Sequence, residues 1–356
     1  MKSHEKMMIE NLISKIRPAD RAVYLESRRQ WDSLAKPLGS LGVLEDDISR
    51  IAAITGKADV VLENRQLLVF CADNGVIRRG VSQTDESATT AVAAALGRGD
   101  STASFMAEKA GCGITAIDIG MKNDTPDGVL DRKIRRGTDD ISSGRAMSRE
   151  ECERAVLAGV RAAEEAVSAG ADILLLGEMG IGNTTTSAAV VCAALGILPE
   201  KAAGRGAGLS DDGLKRKIHA IEQALSVNDP DPEDPIDIIS KVGGFDIAAL
   251  CGACLGGAAL GIPVILDGLI TNVAAFMAVE LCPAARDALI ASHVSKEAAA
   301  GIVLGKLGLK PCISAGLHLG EGTGALLSLS LLDQALAVYQ SGHTFGKLGI
   351  DAYKPQ

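Results

Sequence analysis

The chain has 356 residues, with 36 Lys and Arg against 45 Asp and Glu for a net charge of −9, and aromatic residues make up only 3%. That balance lacks the basic footprint and stacking rings that a nucleic-acid binder needs. At 47% apolar and 23% charged the sequence is globular, and its 40 glycines without a G-X-Y period point to tight turns and close backbone approaches rather than collagen.

In chain order, the first 60 residues carry two or three helical patterns and no strand, broken by Lys36-Pro37-Leu38-Gly39-Ser40-Leu41-Gly42. The N-terminus mixes charges and has no continuous apolar stretch of the secretory kind. Short apolar runs then alternate with longer helical patterns, and each run ends in a polar or Gly-rich cluster. Residues 66–72 end at Asp73-Asn74-Gly75, 113–119 at Gly120, and 172–176 at Gly177-Glu178-Met179-Gly180. Residues 263–266 end at Asp267-Gly268 and 287–291 at Ser292-His293, while 312–315 form a weaker strand candidate. Ser148 with Glu151 makes a capping box that opens a helix reaching about Ser168. Residues 122–145 and 228–235 read as irregular or mobile, and the tail after Gly324 is again helical.

This alternation predicts an α/β fold, a doubly wound and mainly parallel sheet of Rossmann-like type over residues 61–320. Residues 1–60 and 321–356 together predict a small helical subdomain. Ligands of such sheets bind beyond the carboxyl ends of the strands, where the polar clusters would gather. The uncharged stretch 247–266 is long enough to span a membrane, but its glycines, Pro263 and missing basic flanks favour a buried helix followed by a strand. The eight cysteines mostly sit inside apolar runs, as core residues of a protein in a reducing cytoplasm.

Three Gly-rich segments carry the candidate chemistry. At residues 174–186 (LLLGEMGIGNTTT) a strand runs into a glycine turn and a helix opened by Asn183, whose free amides suit a phosphate. Gly180 and Gly182 allow close approach there, and Glu178 stands at the strand tip without a packing purpose. The spacing is neither that of a P-loop nor that of a dinucleotide fingerprint, so ATP and NAD find no support. Gly204-Arg205-Gly206-Ala207-Gly208, followed by Lys215, Arg216 and Lys217, reads by itself as a linker before a solvated helix face. Beside a bound phosphate, Gly206 and one of those cations join the site. In the third segment, 319–326, glycines flank Glu321 just before an apolar helix, the pattern of a carboxylate brought against a ligand as a general base. Asp267 closes its strand on the same rim. The five histidines show no ligand spacing, and only His293 falls at a strand tip; no metal or cofactor is implied. Two other readings stay open on the residues alone: a phosphosugar enzyme such as a sugar kinase, and a catalytically silent subunit that completes a partner's nucleotide site.

Taken together, the segments resemble the nicotinate-nucleotide:dimethylbenzimidazole phosphoribosyltransferase family. The matching stretches are residues 36–42, 72–76 with 80–82, 177–185, 242–249, 263–268, 292–293 and 319–324, in the family's order along nearly the whole chain. The resemblance implies transfer of 5-phosphoribose from nicotinate mononucleotide to a benzimidazole nitrogen, giving α-ribazole 5′-phosphate and nicotinate. It makes Glu321 the residue that takes the proton of the incoming base and Glu178 a second active-site acid. Gly180, Gly182, Lys217 and Ser292 fall on the phosphate and ribose side, with Asn183, Asp267 and Gly206 beside them. Ser82 and Glu86 lie where the family lines its aromatic-base pocket. Asn74 stands where the family commonly has His, and Glu86 where it has an uncharged amide, which leaves adenine, another azole or a phenol as alternative acceptors. The resemblance further implies a homodimer with small-molecule substrates and no cofactor.

Overall fold

The computed structural model describes residues 3–353. Three helices open the chain, α1 (His4–Ile13), α2 (Arg21–Ser33) and α3 (Val43–Thr55). Then come β1 (Arg65–Ala72), α4 (Glu86–Arg98), α5 (Thr102–Lys109), β2 (Cys112–Gly120), β3 (Leu130–Asp131) and α6 (Arg149–Ser168). The middle holds β4 (Ile173–Met179), α7 (Asn183–Leu195), α8 (Pro199–Ala202), α9 (Asp211–Asn228), α10 (Pro235–Val242) and α11 (Phe245–Leu260). The last part holds β5 (Val264–Leu266), α12 (Leu269–Leu281), β6 (Leu289–Ala291), α13 (Ala300–Leu307), α14 (Thr323–Tyr339) and α15 (Phe345–Leu348).

All six strands run parallel, in the order β3-β2-β1-β4-β5-β6. The sheet is wound outward from its middle, one way from β1 and the other from β4. Phe70 is level with Glu178 across that central pair. The carboxyl ends of β1 and β4 therefore flank the switch point at which doubly wound sheets hold their ligands. Strand side chains alternate between two cores. Leu68, Phe70 and Ala72 face one, with α6, α7, α11 and α12, while Leu67, Val69 and Cys71 face the other, with α3, α5 and α14.

The uncharged stretch forms α11 and β5, as its glycines predict. A Cβ at Gly252 would lie 1.8 Å from Val156 O on α6, so the two helix backbones touch. Among the described residues no helix is long and apolar enough to cross a membrane. The ends of the chain meet where buried Trp31 lies against Tyr339, ring centroids 4.9 Å apart. The Ser148 capping box is present with both of its hydrogen bonds. All eight cysteines are free, and all but Cys312 are buried.

Two readings need correction. Residues 122–145 contain β3, an edge strand paired with Ile117 and Asp118 of β2; two residues are too few to print a pattern in the sequence. The surrounding irregular backbone is tied down by ion pairs such as Lys133–Asp118 at 3.0 Å. Residues 312–315 form no strand, since only Ile313 makes a single parallel bridge, to His293.

Candidate active site

The loops after β1, β4, β5 and β6 close around a cavity of about 190 Å³ at the switch point. Ser82, Glu178, Gly180, Gly182, Asn183, Gly206, Asp267 and His293 all line it. Glu321, Lys217, Ser292 and Glu86 do not, and each stands in a definable relation to it. A roomier hollow of about 730 Å³ opens among α2 and α3, lined by Arg21, Asp47 and Lys310, and it holds none of the candidate residues.

One end of the cavity suits an anion. Gly182 turns the chain into α7 at φ 95° and offers no side-chain cap, which leaves that helix's positive end toward the cavity. Lys217 approaches from α9, wholly buried, and its Nζ donates to Thr184 Oγ1 at 2.8 Å and Gly204 O at 3.0 Å. Burial pushes its ammonium down to about 8, opposed by Glu297 nearby. Arg205 lines the same end.

The other end is acidic. Glu178, next to last in β4, takes a hydrogen bond from Asn183 Nδ2 on Oε2, and that same nitrogen donates to Asp246 Oδ2 at 3.0 Å. Burial, then the charges of Asp246, Asp267 and Glu321, raise the Glu178 carboxyl to about 8. Its main-chain oxygen accepts from Glu321 N–H at 3.1 Å, so the turn at residues 320–324 hangs on the strand. Glu321 itself sits at φ +58°, between Gly320 and Gly322 at 93° and 83°. A left-handed non-glycine of this kind is held by its surroundings rather than by preference.

Asp267 does the holding. Its carboxylate accepts from Gly322 N–H at 3.2 Å and Gly324 N–H at 2.7 Å, fixing the turn and the first turn of α14. Burial raises it to about 7. Ser292 lies behind, its Oγ donating to Asp267 O at 3.0 Å, and the neighbouring His293 is held neutral by burial, pushed down to about 4.

The two acids singled out in the sequence are thus neighbours through the main chain, but they face differently. Glu178 looks into the cavity, whereas Glu321 Oε2 accepts from Ala103 N–H at 3.2 Å, at the start of α5. Glu86 pairs with Lys122 Nζ, and three residues on from it Thr89 Oγ1 accepts from Ile181 N–H at 3.3 Å on the cavity wall. Asp246, Thr184 and Glu297 were given no site role in the sequence reading. Asp246 carries the signal that exposed the other acids, an ionisable residue after two glycines at the head of an apolar helix.

A cationic, amide-lined pocket facing a set of crowded carboxyl groups at a doubly wound switch point defines a protein that handles phosphorylated sugars without a P-loop. The chain belongs to the phosphoribosyltransferase family whose model matches residues 16–350. It is 42% identical over 330 residues to the nicotinate-nucleotide–dimethylbenzimidazole phosphoribosyltransferase of Acetivibrio thermocellus, covering 92% of this chain and 94% of that one. The enzyme of the same name from Clostridium acetobutylicum is 39% identical over 350 residues, covering 98% and 99%. The crystal structure of CobT from Thermus thermophilus superposes with a TM-score of 0.88 at 38% identity, over 93% of this chain and all of that one.

Proposed function

We propose that this protein transfers 5-phosphoribose from nicotinate mononucleotide to 5,6-dimethylbenzimidazole or a related base, releasing nicotinate and forming α-ribazole 5′-phosphate. The observation that carries the reading is the polarity of the cavity: buried Lys217, Arg205 and the positive end of α7 at one end, Glu178 and the Glu321 turn at the other. The phosphate docks at the cationic end, with Gly180, Gly182 and Gly206 allowing close approach, and this anchors C1′ near the acids. Nicotinate bound through a pyridinium nitrogen is already an activated leaving group. The acceptor nitrogen attacks C1′ from the opposite face, the C1′–nicotinate bond breaks with its electron pair going to the pyridine nitrogen, and the β-linkage becomes α. Glu321 takes the N–H proton of the base once its side chain turns away from Ala103 N–H. Ser82 on the cavity wall and Glu86 beside Lys122 flank the acceptor, while Ser292 and Asp267 support the ribose side.

On this reading residues 61–320 form the large α/β unit and residues 1–60 with 321–356 a helical one that brings Glu321 to its rim, in a cytoplasmic homodimer. The test is product analysis with nicotinate mononucleotide and a panel of benzimidazoles, purines and phenols. A riboside phosphate formed with a benzimidazole supports the proposal, transfer only to a purine or phenol moves it to another acceptor, and no transfer to any base ends it. Glu321→Gln should lower kcat about 10²-fold or more while nucleotide binding persists; undiminished turnover removes Glu321 from the proton transfer.

A further inference from the structure

Asp246 is a buried acid at the switch point with no part in the reaction above. It lies in the first turn of α11, fully shielded from solvent, and its Oδ1 accepts from Ile247 N–H at 3.0 Å. Its Oδ2 and Glu178 Oε2 share the two hydrogens of Asn183 Nδ2, so a single amide spans one carboxyl group on the cavity wall and one behind it. Asn183 is itself buried, which fixes the bridge. Glu178 Oε1 is left over, and it faces the Glu321 turn: a Cβ on Gly320 would lie 2.7 Å from it.

We propose that Asp246 is a positioning residue for the transfer: through Asn183 it sets Glu178 on the cavity wall, and its negative charge keeps a proton on Oε1, the oxygen beside the Glu321 turn. This rests on the transferase reading. Two carboxyl groups on one amide in a dry site do not both ionise readily, and the wholly buried one carries the charge because Ile247 N–H and Asn183 both donate to it. Burial raises both, Glu178 to about 8 and Asp246 to about 6, an ordering that agrees with the geometry. Glu178 is faced by Asp246 from α11, Asp267 from the end of β5, Glu321 from the turn before α14 and Cys71 from β1. None of these is a cation, and among the described residues no Lys, Arg or His forms an ion pair with Glu178 or Asp246. A protonated Glu178 donates a hydrogen bond to the bound nucleotide and does not repel its anionic groups. No proton leaves Glu178 in the step, since the one released by the acceptor goes to Glu321.

The test is infrared titration of the protonated carboxyl stretch, assigned to Glu178 by its loss in Glu178→Gln. The parent should keep the band at neutral pH and lose it with a midpoint near 8. In Asp246→Asn the midpoint should fall by about one pH unit or more. The alkaline limb of kcat should follow it, while KM for nicotinate mononucleotide changes less than about twofold. A midpoint unmoved in Asp246→Asn, or a parent without the band at neutral pH, overturns the proposal. Should Asp246→Asn fail to fold, Asn183→Ala serves in its place: it removes the amide that holds the Glu178 carboxyl down, so a midpoint that rises and a kcat down about tenfold with KM nearly constant support the proposal, and an unchanged kcat or midpoint overturns it. A protein that makes no riboside phosphate refutes the transferase reading but leaves the infrared midpoints readable, so the two failures are distinct.

Discussion

Gly177→Ala places one methyl group where the site is held together. The new Cβ would lie 2.6 Å from the carbonyl carbon of Glu321, 2.6 Å from Gly322 N and 2.8 Å from Glu321 O, all main-chain atoms. Carbon contacts settle at about 3.5–4.0 Å, so roughly 1 Å has to be cleared. Strand β4 cannot give way, because it is paired with β1 level with Val69 and with β5 lower down. The turn must move, against its bonds to Asp267 and to Glu178 O. Overpacking of this kind costs about 1–3 kcal/mol, and Tm should fall by about 1–4 °C. A displacement of Glu321 by about 1 Å should lower kcat about 10²-fold, while binding of nicotinate mononucleotide, anchored at the Lys217 end, stays within a few-fold of the parent. The measurements are steady-state kinetics, titration calorimetry with the donor and scanning calorimetry. Gly301→Ala on α13, whose added methyl meets nothing within 4 Å, is the control. A Gly177→Ala protein with parental Tm and kcat would refute the idea that the bare α-carbon of the strand seats the turn.

Lys217→Met removes the buried cation but keeps the stem, and donor affinity measured by calorimetry should weaken about ten- to hundredfold, the worth of charge-assisted hydrogen bonds; parental affinity would take the phosphate elsewhere. Gly252→Ala drives a methyl to 1.8 Å from Val156 O and should lower Tm by several degrees while the folded enzyme keeps its kcat. A parental Tm would mean that α6 and α11 do not touch. Glu178 holds its proton to about 8 when folded, whereas an unfolded glutamate releases it near 4.3, so folding takes up a proton between those values and stability falls as pH rises through them. Glu178→Gln lacks this loss: its Tm should gain on the parent from about pH 5 to pH 8 and hold the gain above. A difference that does not change with pH contradicts the protonated Glu178.

The strands that print as long apolar runs were legible, because burial on both faces demands apolar residues at successive positions, as in Leu67–Ala72 of β1 and Ile173–Leu176 of β4. Strand β3 was not, having two residues of which one is exposed. Glu178 and Glu321 stood out because an acid among glycines at an apolar boundary has no local purpose. That one hangs from the other's carbonyl is a long-range pairing with no trace in either segment. Lys217 was half visible: it sits among three basic residues, yet Gly213, Lys217, Ala220, Ile221 and Ala224 repeat at helical spacing, which marks it as the one turned inward. Asn183 was read as a helix opener whose main-chain end suits a phosphate; that its side-chain amide is engaged by two carboxyl groups could not be read, since the sequence keeps them far apart. His293 neutralised by burial and Asp267 clamping two amides are likewise products of tertiary contact.

The order in which the molecule can be assembled follows from where α14 sits. Its buried stripe, Leu326, Leu329 and Leu332, completes the core that Ile48 and Ile51 of α3 enter from the other end of the chain. During synthesis α3 and all six strands leave the ribosome first, and Leu67, Val69 and Leu175 wait without their last cover. The Glu321 turn arrives on the same late segment. A chain that stops short of it leaves that apolar sheet face uncovered and lacks the turn that hangs from β4, so the last cover of the core and the last wall beside the cavity arrive on one segment.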